Sequence, residues 1–263
     1  HRLNDSIYIL KNYILHRIKA RGRHSLHSPF VFDLYESCVS DPAKSPFKES
    51  IEKIRKDLLA DHSTIKIEDM GAGSRVNNSA QRKINQVAKH SLKSAKEAQF
   101  LACLCQKIDA RKIIELGTSF GITTAYVAKN NPQAQLHSVE GSPEIAAIAK
   151  VNLKELEISN TTIYQGNFDV VFPELLKEVE ADIIFIDGNH SKEATLRYFE
   201  MALDHINKKG LIVFDDIYWS IGMTEAWQSI IKNSRVSISI DFFHLGVVSL
   251  NEDYTKQDFK LLM

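Results

Sequence analysis

The chain has 263 residues, 44% of them hydrophobic and 25% charged, with 33 Lys and Arg matched by 33 Asp and Glu. That length can bury a sizeable core in one large domain, or in one domain with an appendage. Zero net charge argues against a dedicated DNA-coating protein, which would carry a basic surplus. Cys38, Cys103 and Cys105 lack metal-site spacing and read as reduced thiols of a cytoplasmic protein. No apolar run approaches the ~20 residues of a membrane span, and the first residues do not read as a secretory leader.

In chain order, "SIYILKNYILHRIKARGRHSLHSPFVFDLYESCV" predicts an amphipathic helix, a basic stretch at 17–24 and a second apolar helix after Pro29. A basic amphipathic helix can lie on an anionic membrane or touch RNA phosphates, so peripheral membrane contact through residues 1–35 is one expectation. The other is a helix packed on the domain with solvated basic ends. His16, His24 and His27 have no cysteine or carboxylate at ligand spacing, and no metal is expected there. "IKIEDMGAGSR" (65–75) reads as a strand, an acid and a Gly-x-Gly turn, but polar residues follow where a cofactor turn should open into an apolar helix. Residues 69–74 are therefore expected to be a loop, a lid over a site rather than the site itself. The texture changes near residue 90, dividing a helical extension (1–90) from a main domain (91–263).

From Arg111 onward, β-rich runs at 112–116, 135–140, 161–165, 182–187 and 211–215 alternate with helical stretches at 123–129, 143–156, 172–178 and 194–206. Such alternation predicts a parallel sheet covered by helices on both faces. Two final β runs, 236–240 and 245–250, suit an antiparallel hairpin at the sheet edge. The fold class is thus α/β: an open, doubly wound, mostly parallel sheet, whose ligands sit outside the carboxyl ends of the strands.

Those ends carry a matching set. "IIELGTSFGITTAYVAKN" (113–130) places Glu115 before a turn containing Gly117 and Gly121, then an apolar helix. Its G-x-x-x-G spacing lacks the third glycine of a dinucleotide cradle, which disfavours a nicotinamide cofactor. Glu140 ends the next strand, where an acid can accept both hydroxyls of a ribose. "DIIFIDGNHSKE" (182–193) runs an apolar strand into Asp187, Asn189 and His190, and Asp215 and Asp216 end a further strand. His190 could instead cap a turn, and the Asp pair could cap a helix. Tyr218 and Trp219 could wall an acceptor or belong to the core.

These residues resemble the class I S-adenosylmethionine-dependent methyltransferases, and among them the catechol and caffeoyl-CoA O-methyltransferases. The resemblance covers roughly residues 90–250. "SLKSAKEAQFL" (91–101) is similar to the segment that passes the methionine part of the cofactor in that family. "ELGTSFGITT" resembles the first motif, which implies cofactor-facing positions for Glu115, Gly117, Ser119 and Thr123. "LHSVEGSPE" resembles the ribose motif through Glu140, and "YQGNFDVVFPEL" the adenine turn in its spacing from Gly166 to Pro173, with Asn167, Phe168 and Asp169 along the base, which implies Gly166, Asn167 and Phe168 as cofactor-binding residues. "FIDGNH" and "VFDDIYW" fall where the family binds a divalent metal, which implies Asp187, Asp215 and Asp216 as ligands, with Asp187 also touching the cofactor. The resemblance further implies a seven-stranded Rossmann-like sheet, S-adenosylmethionine as cofactor and Mg²⁺ as the cation, with a homodimer possible. The family differs from this chain in placing a lysine at His190 and usually an asparagine at Asp216.

The chemistry can be argued from the residues. Methyl transfer from a sulfonium is an in-line displacement that needs a nucleophilic acceptor oxygen. A phenol hydroxyl titrates near ~10, and a hard cation held by carboxylates lowers that value. His190, close to Asp187 in sequence, can take the proton. The expectation is metal-assisted O-methylation of a small hydroxylated acceptor. The alternatives are a tRNA hydroxyl, suggested by basic residues at 17–23 and 75–83, or a cofactor-binding scaffold without turnover.

Overall fold

The computed structural model describes residues 2–20, 22, 26–67 and 80–263. The N-terminal part contributes α1 (Arg2–Lys19), α2 (Pro29–Tyr35) running into a π turn at Glu36–Ser40, α3 (Lys48–Ala60) and α4 (Ile84–Ser91). Between α3 and α4, β1 (Thr64–Ile67) and β2 (Ala80–Lys83) pair antiparallel in a small sheet of their own. The apolar run at 65–67 is thus a strand, but not one of the main sheet. The Gly-x-Gly loop at 69–74, expected as a lid, lies outside the described residues.

The main domain follows with α5 (Ala95–Lys107), β3 (Lys112–Leu116), α6 (Ile122–Asn130), β4 (Gln135–Glu140), α7 (Pro143–Glu155), β5 (Thr161–Gln165), α8 (Phe168–Glu178), β6 (Ala181–Ile186), α9 (Lys192–Ala202), β7 (Ile206–Asp215) and α10 (Ile221–Lys232). It closes with β8 (Ile238–Asp241), β9 (Leu245–Ser249) and β10 (Gln257–Lys260). The sheet order is β10-β8-β9-β7-β6-β3-β4-β5, with β9 antiparallel to both neighbours and the other pairings parallel.

Both faces of the central strands are buried, as a doubly covered parallel sheet requires. Successive residues alternate between two cores: Ile113, Ile183 and Phe185 face α5 and α2, whereas Ile114, Ile184 and Ile186 face α8, α9 and α10. A third core joins α3 and α4 to α6 and α7, which fastens the N-terminal extension beside the first glycine loop.

Several expectations need correction. The sheet has eight strands, not seven, and the C-terminal hairpin is not its edge, because β10 pairs outside β8. The helix expected to run through residue 206 ends at Ala202, and Ile206 instead opens β7 by pairing with Ala181. Helix α8 starts at Phe168 because the Asn167 side chain accepts the Asp169 N–H. Cys38 and Cys103 are not reduced thiols: they form a disulfide with Cα atoms 5.5 Å apart, and Cys105 stays free and buried. Their spacing in sequence could not show that the turn after α2 packs on α5. Among the described residues, no helix is long and apolar enough to cross a membrane.

Candidate active site

At the carboxyl ends of β3, β4, β6 and β7 lies a cavity of about 710 Å³, within the range of small-molecule sites. Its first wall is the loop after β3. Gly117 has φ +109°, and a Cβ there would meet the Asp187 carbonyl oxygen at 1.8 Å, so only glycine lets the ends of β3 and β6 pass this closely. Gly121, at φ +80°, opens α6. Between them Ser119 adopts φ 48°. Its N–H donates to Glu140 Oε2 (2.8 Å) and its hydroxyl meets Ser91 Oγ at 2.7 Å, tying the loop to β4 and to the end of α4. Glu140 Oε1 accepts the Ser142 N–H (2.9 Å). Burial raises the Glu140 pKa, and these backbone donors oppose the shift.

The opposite wall is acidic. Asp187 leaves β6 with its N–H on the Leu116 carbonyl (2.9 Å), and Asp215 ends β7. Asn189 and Asp216 hold φ values of 54° and 51°, so with Ser119 three non-glycine residues in the left-handed region line this one cavity. Such strain collects at functional sites. His190 Nε2 stands 4.0 Å from Asp187 Oδ1, with the ring half exposed. Neither side chain is spent on capping: Ser191 caps α9 and Ser220 caps α10.

Between the two carboxylates lies a lysine. Lys93 Nζ is 2.9 Å from Asp187 Oδ2 and 2.6 Å from Asp215 Oδ2, with only 9% of its side chain exposed. Burial alone would lower its pKa, but the two carboxylates outweigh burial and hold the ammonium charged. Asp215 moves the other way, pushed up to about 6 by burial and by Asp187, with Lys93 opposing. Asp216 is raised by burial and by Asp215. The position of Lys93 is set locally. It precedes a capping box in which Ser94 Oγ accepts the Glu97 N–H and Glu97 Oε2 accepts the Ser94 N–H, fixing the start of α5.

Asp187, His190 and Asp215 can bring one ligand atom each within 4.8 Å of one another, and their oxygen-rich chemistry would suit a hard cation. The arrangement does not fit one, because the Lys93 ammonium already bridges both carboxylates.

Of the residues singled out from sequence, Gly117, Ser119, Glu140, Gly166, Asn167, Phe168, Asp187, His190, Asp215 and Asp216 line the one cavity. Glu115, Gly121 and Thr123 do not. The Glu115 carboxylate is buried under the loop, where Oε2 accepts from Thr124 Oγ1 (2.6 Å) and Ser138 Oγ (2.5 Å). Asn167 accepts the Asp169 N–H with its side-chain oxygen (2.8 Å). Phe168 packs on Gly188, where a Cβ would lie 2.5 Å from the ring. Tyr218 is core, stacked on Phe243 and bonded to Asp241, whereas Trp219 is 57% exposed; neither lines the cavity. Sequence reasoning missed Lys93: a lysine ahead of a helix looks solvated, and nothing local announces two carboxylates from distant strands.

Residues 114–217, which span both walls from β3 to Asp216, match the sequence model of a family described as a methyltransferase domain. The match covers less than half of the chain. Within 126 residues the chain is 30% identical to a catechol O-methyltransferase of Mycobacterium tuberculosis, covering 47% of this chain and 56% of that protein. A catechol O-methyltransferase of Niastella koreensis is 33% identical over 128 residues, 47% of this chain and 57% of the relative. The chain therefore spans little more than half the length of the curated relatives it matches. Among solved structures, an O-methyltransferase of Bacillus cereus in complex with S-adenosylhomocysteine superposes with a TM-score of 0.55 at 19% identity, over 83% of this chain and 97% of that one. A Podospora anserina methyltransferase bound to the same product gives 0.55 at 15% identity, over 80% and 99%. At such identities the likeness speaks for the fold alone.

Proposed function

We propose that the chain is an S-adenosylmethionine-dependent O-methyltransferase acting on a small phenol- or catechol-like hydroxyl. The observation that carries this reading is that two chemically different walls share one cavity: a glycine loop with Glu140, and an acidic wall with His190. A protein that only bound a nucleoside would need the first wall alone. The catechol O-methyltransferase relatives support the acceptor class, and the product-bound structural neighbours support the cofactor.

Bound S-adenosylmethionine supplies an electrophilic methyl on a sulfonium. Glu140 would accept the ribose hydroxyls, and Gly117 and Ser119 would bring backbone close to the methionine part. Phe168, packed on Gly188, would flank the base. Asn189, whose amide donates to Tyr198 Oη (3.3 Å), would line the acceptor side. His190 would take the acceptor proton at Nε2 as the oxygen closes on the methyl carbon, and its exposure lets that proton leave to water.

Isothermal titration with S-adenosylhomocysteine, followed by transfer of labelled methyl to catechol and simple phenols, tests this. Saturable binding and labelled methyl ether are expected. No binding by the folded chain would remove the proposal at its root. Binding without transfer to any phenol would remove the acceptor class.

A further inference from the structure

The metal-assisted version of this reaction needs a cation where Asp187 and Asp215 converge, and that place is taken. We propose that the Lys93 ammonium replaces the divalent cation, so that methyl transfer in this protein is metal-independent and the acceptor oxygen is held and polarised by a fixed lysine. The proposal rests on the methyltransferase reading above and deepens its mechanism.

Three observations carry it. The ammonium lies within hydrogen-bond distance of both carboxylates that would ligate a metal, and it lines the same cavity as His190. It is anchored from behind by the capping box at Ser94 and Glu97, at the start of a thirteen-residue helix, and is not the tip of a mobile loop. Finally, its chemistry suits the task. An ammonium has three donors; two are directed at Asp187 and Asp215, and the third can reach an acceptor oxygen in the cavity. The charge is smaller than that of Mg²⁺, but one aimed donor is worth roughly 10²–10³ in rate.

The step then balances without a metal. The acceptor O–H bond breaks and its proton goes to His190. The oxygen forms a bond to the methyl carbon while the carbon–sulfur bond breaks, and that electron pair stays on sulfur to give neutral S-adenosylhomocysteine. Lys93 keeps its own protons throughout and stabilises the negative charge that builds on the oxygen.

Manganese titration followed by electron paramagnetic resonance reads the site without any acceptor. The wild-type chain should leave Mn²⁺ free at millimolar concentration, and its methyl transfer should be unchanged in chelator. Lys93→Ala removes the ammonium and leaves two facing carboxylates, so it should bind one Mn²⁺ per chain and melt at a higher temperature with the ion than without it. Its transfer rate in chelator should fall by roughly 10²-fold or more, with Mn²⁺ restoring part of it. Stoichiometric Mn²⁺ binding by the wild type that disappears in Asp215→Asn would overturn the proposal, because a metal would then displace the lysine. A full rate for Lys93→Ala in chelator would also overturn it. Should Lys93→Ala fail to fold, the wild-type titration still decides. Should no acceptor be found, the titration is untouched, so failure of the methyltransferase reading and failure of the lysine assignment remain distinguishable.

Discussion

Two ionic clusters sit at the ends of β7 and β8, and they are balanced in opposite ways. At the cavity, Asp187, Asp215 and Asp216 share one lysine, with His190 at the rim, and the innermost carboxylate is pushed up to about 6. At the end of β8, within the hairpin, a single carboxylate has partners to spare. Asp241 meets His16 Nε2 (2.9 Å), Tyr218 Oη (2.7 Å) and Lys260 Nζ (2.5 Å). Burial would raise its pKa, yet these partners hold it down at about 2. The second cluster pins α1 to the sheet, leaving Ile7, Leu10, Ile14 and Ile18 on the exposed side of that helix. In the first, burial and crowding of like charges raise Asp215 and Asp216, while the same carboxylates hold Lys93 charged. An arrangement that crowds carboxylates around one lysine at a cavity suits a reacting site; one that oversupplies its anion with donors serves the fold.

The sharpest way to break this contrast is to remove the group that only the first cluster needs. His190→Ala should lower the transfer rate by roughly 10²–10⁴-fold, while S-adenosylhomocysteine affinity and melting temperature stay near wild type, since the ring is half exposed and caps nothing. A wild-type rate would move His190 out of the mechanism.

Next in size is the junction beneath it. Gly117→Ala forces a Cβ onto the Asp187 carbonyl in a backbone conformation that disfavours side chains. A loss of about 3 kcal/mol or more in unfolding free energy is expected, together with loss of S-adenosylhomocysteine binding. If titration and denaturant unfolding both match wild type, β3 and β6 do not approach this closely.

Smaller again is the cofactor wall. Glu140→Ala should weaken S-adenosylhomocysteine at least about tenfold, because hydrogen bonds to a charged group contribute about 1.5–3 kcal/mol. Some of that effect comes through the loop, since Glu140 also receives the Ser119 N–H. Unchanged affinity would refute the ribose assignment.

The contrast between the clusters also marks what could be read from residues alone. Strands β3, β4 and β5 were legible to the residue because apolar runs end abruptly in acids or glycine, a local signal. That Glu140, Asp187, Asp215 and His190 line one cavity was legible for the same reason: strand ends in this fold class converge on one crevice. Lys93 was not, since its partners arrive from β6 and β7 and only tertiary packing buries it. Asp241 and His16 were equally silent, the histidine lying on α1 and its carboxylate at the end of β8. Glu115 was legible as important but not in its role, because position on a strand does not say whether a side chain meets a ligand or, as here, Thr124 and Ser138. The disulfide and β10 share that non-local character.

The smallest effect belongs to the structural cluster and depends on pH. Asp241 has a folded pKa of about 2 against an ordinary value of 3.8. A carboxylate with a depressed folded pKa contributes stability that is fully present above its unfolded value and is lost as pH falls through the folded one. The window is therefore the interval from about pH 4 down to pH 2, and the full contribution is about 2 kcal/mol. Other carboxylates titrate in the same window, and Glu115, raised by burial, acts in the opposite direction. The comparison must thus be with Asp241→Asn, which cannot titrate. Denaturant unfolding at neutral pH and at about pH 3 should show the wild type losing more stability than the variant over that interval. Hydrogen exchange of α1 should rise in step, because His16 is the contact that ties that helix to Asp241. Equal acid losses in both proteins would show that the cluster holds its charge no more tightly folded than unfolded, and the two ionic clusters would no longer differ in kind.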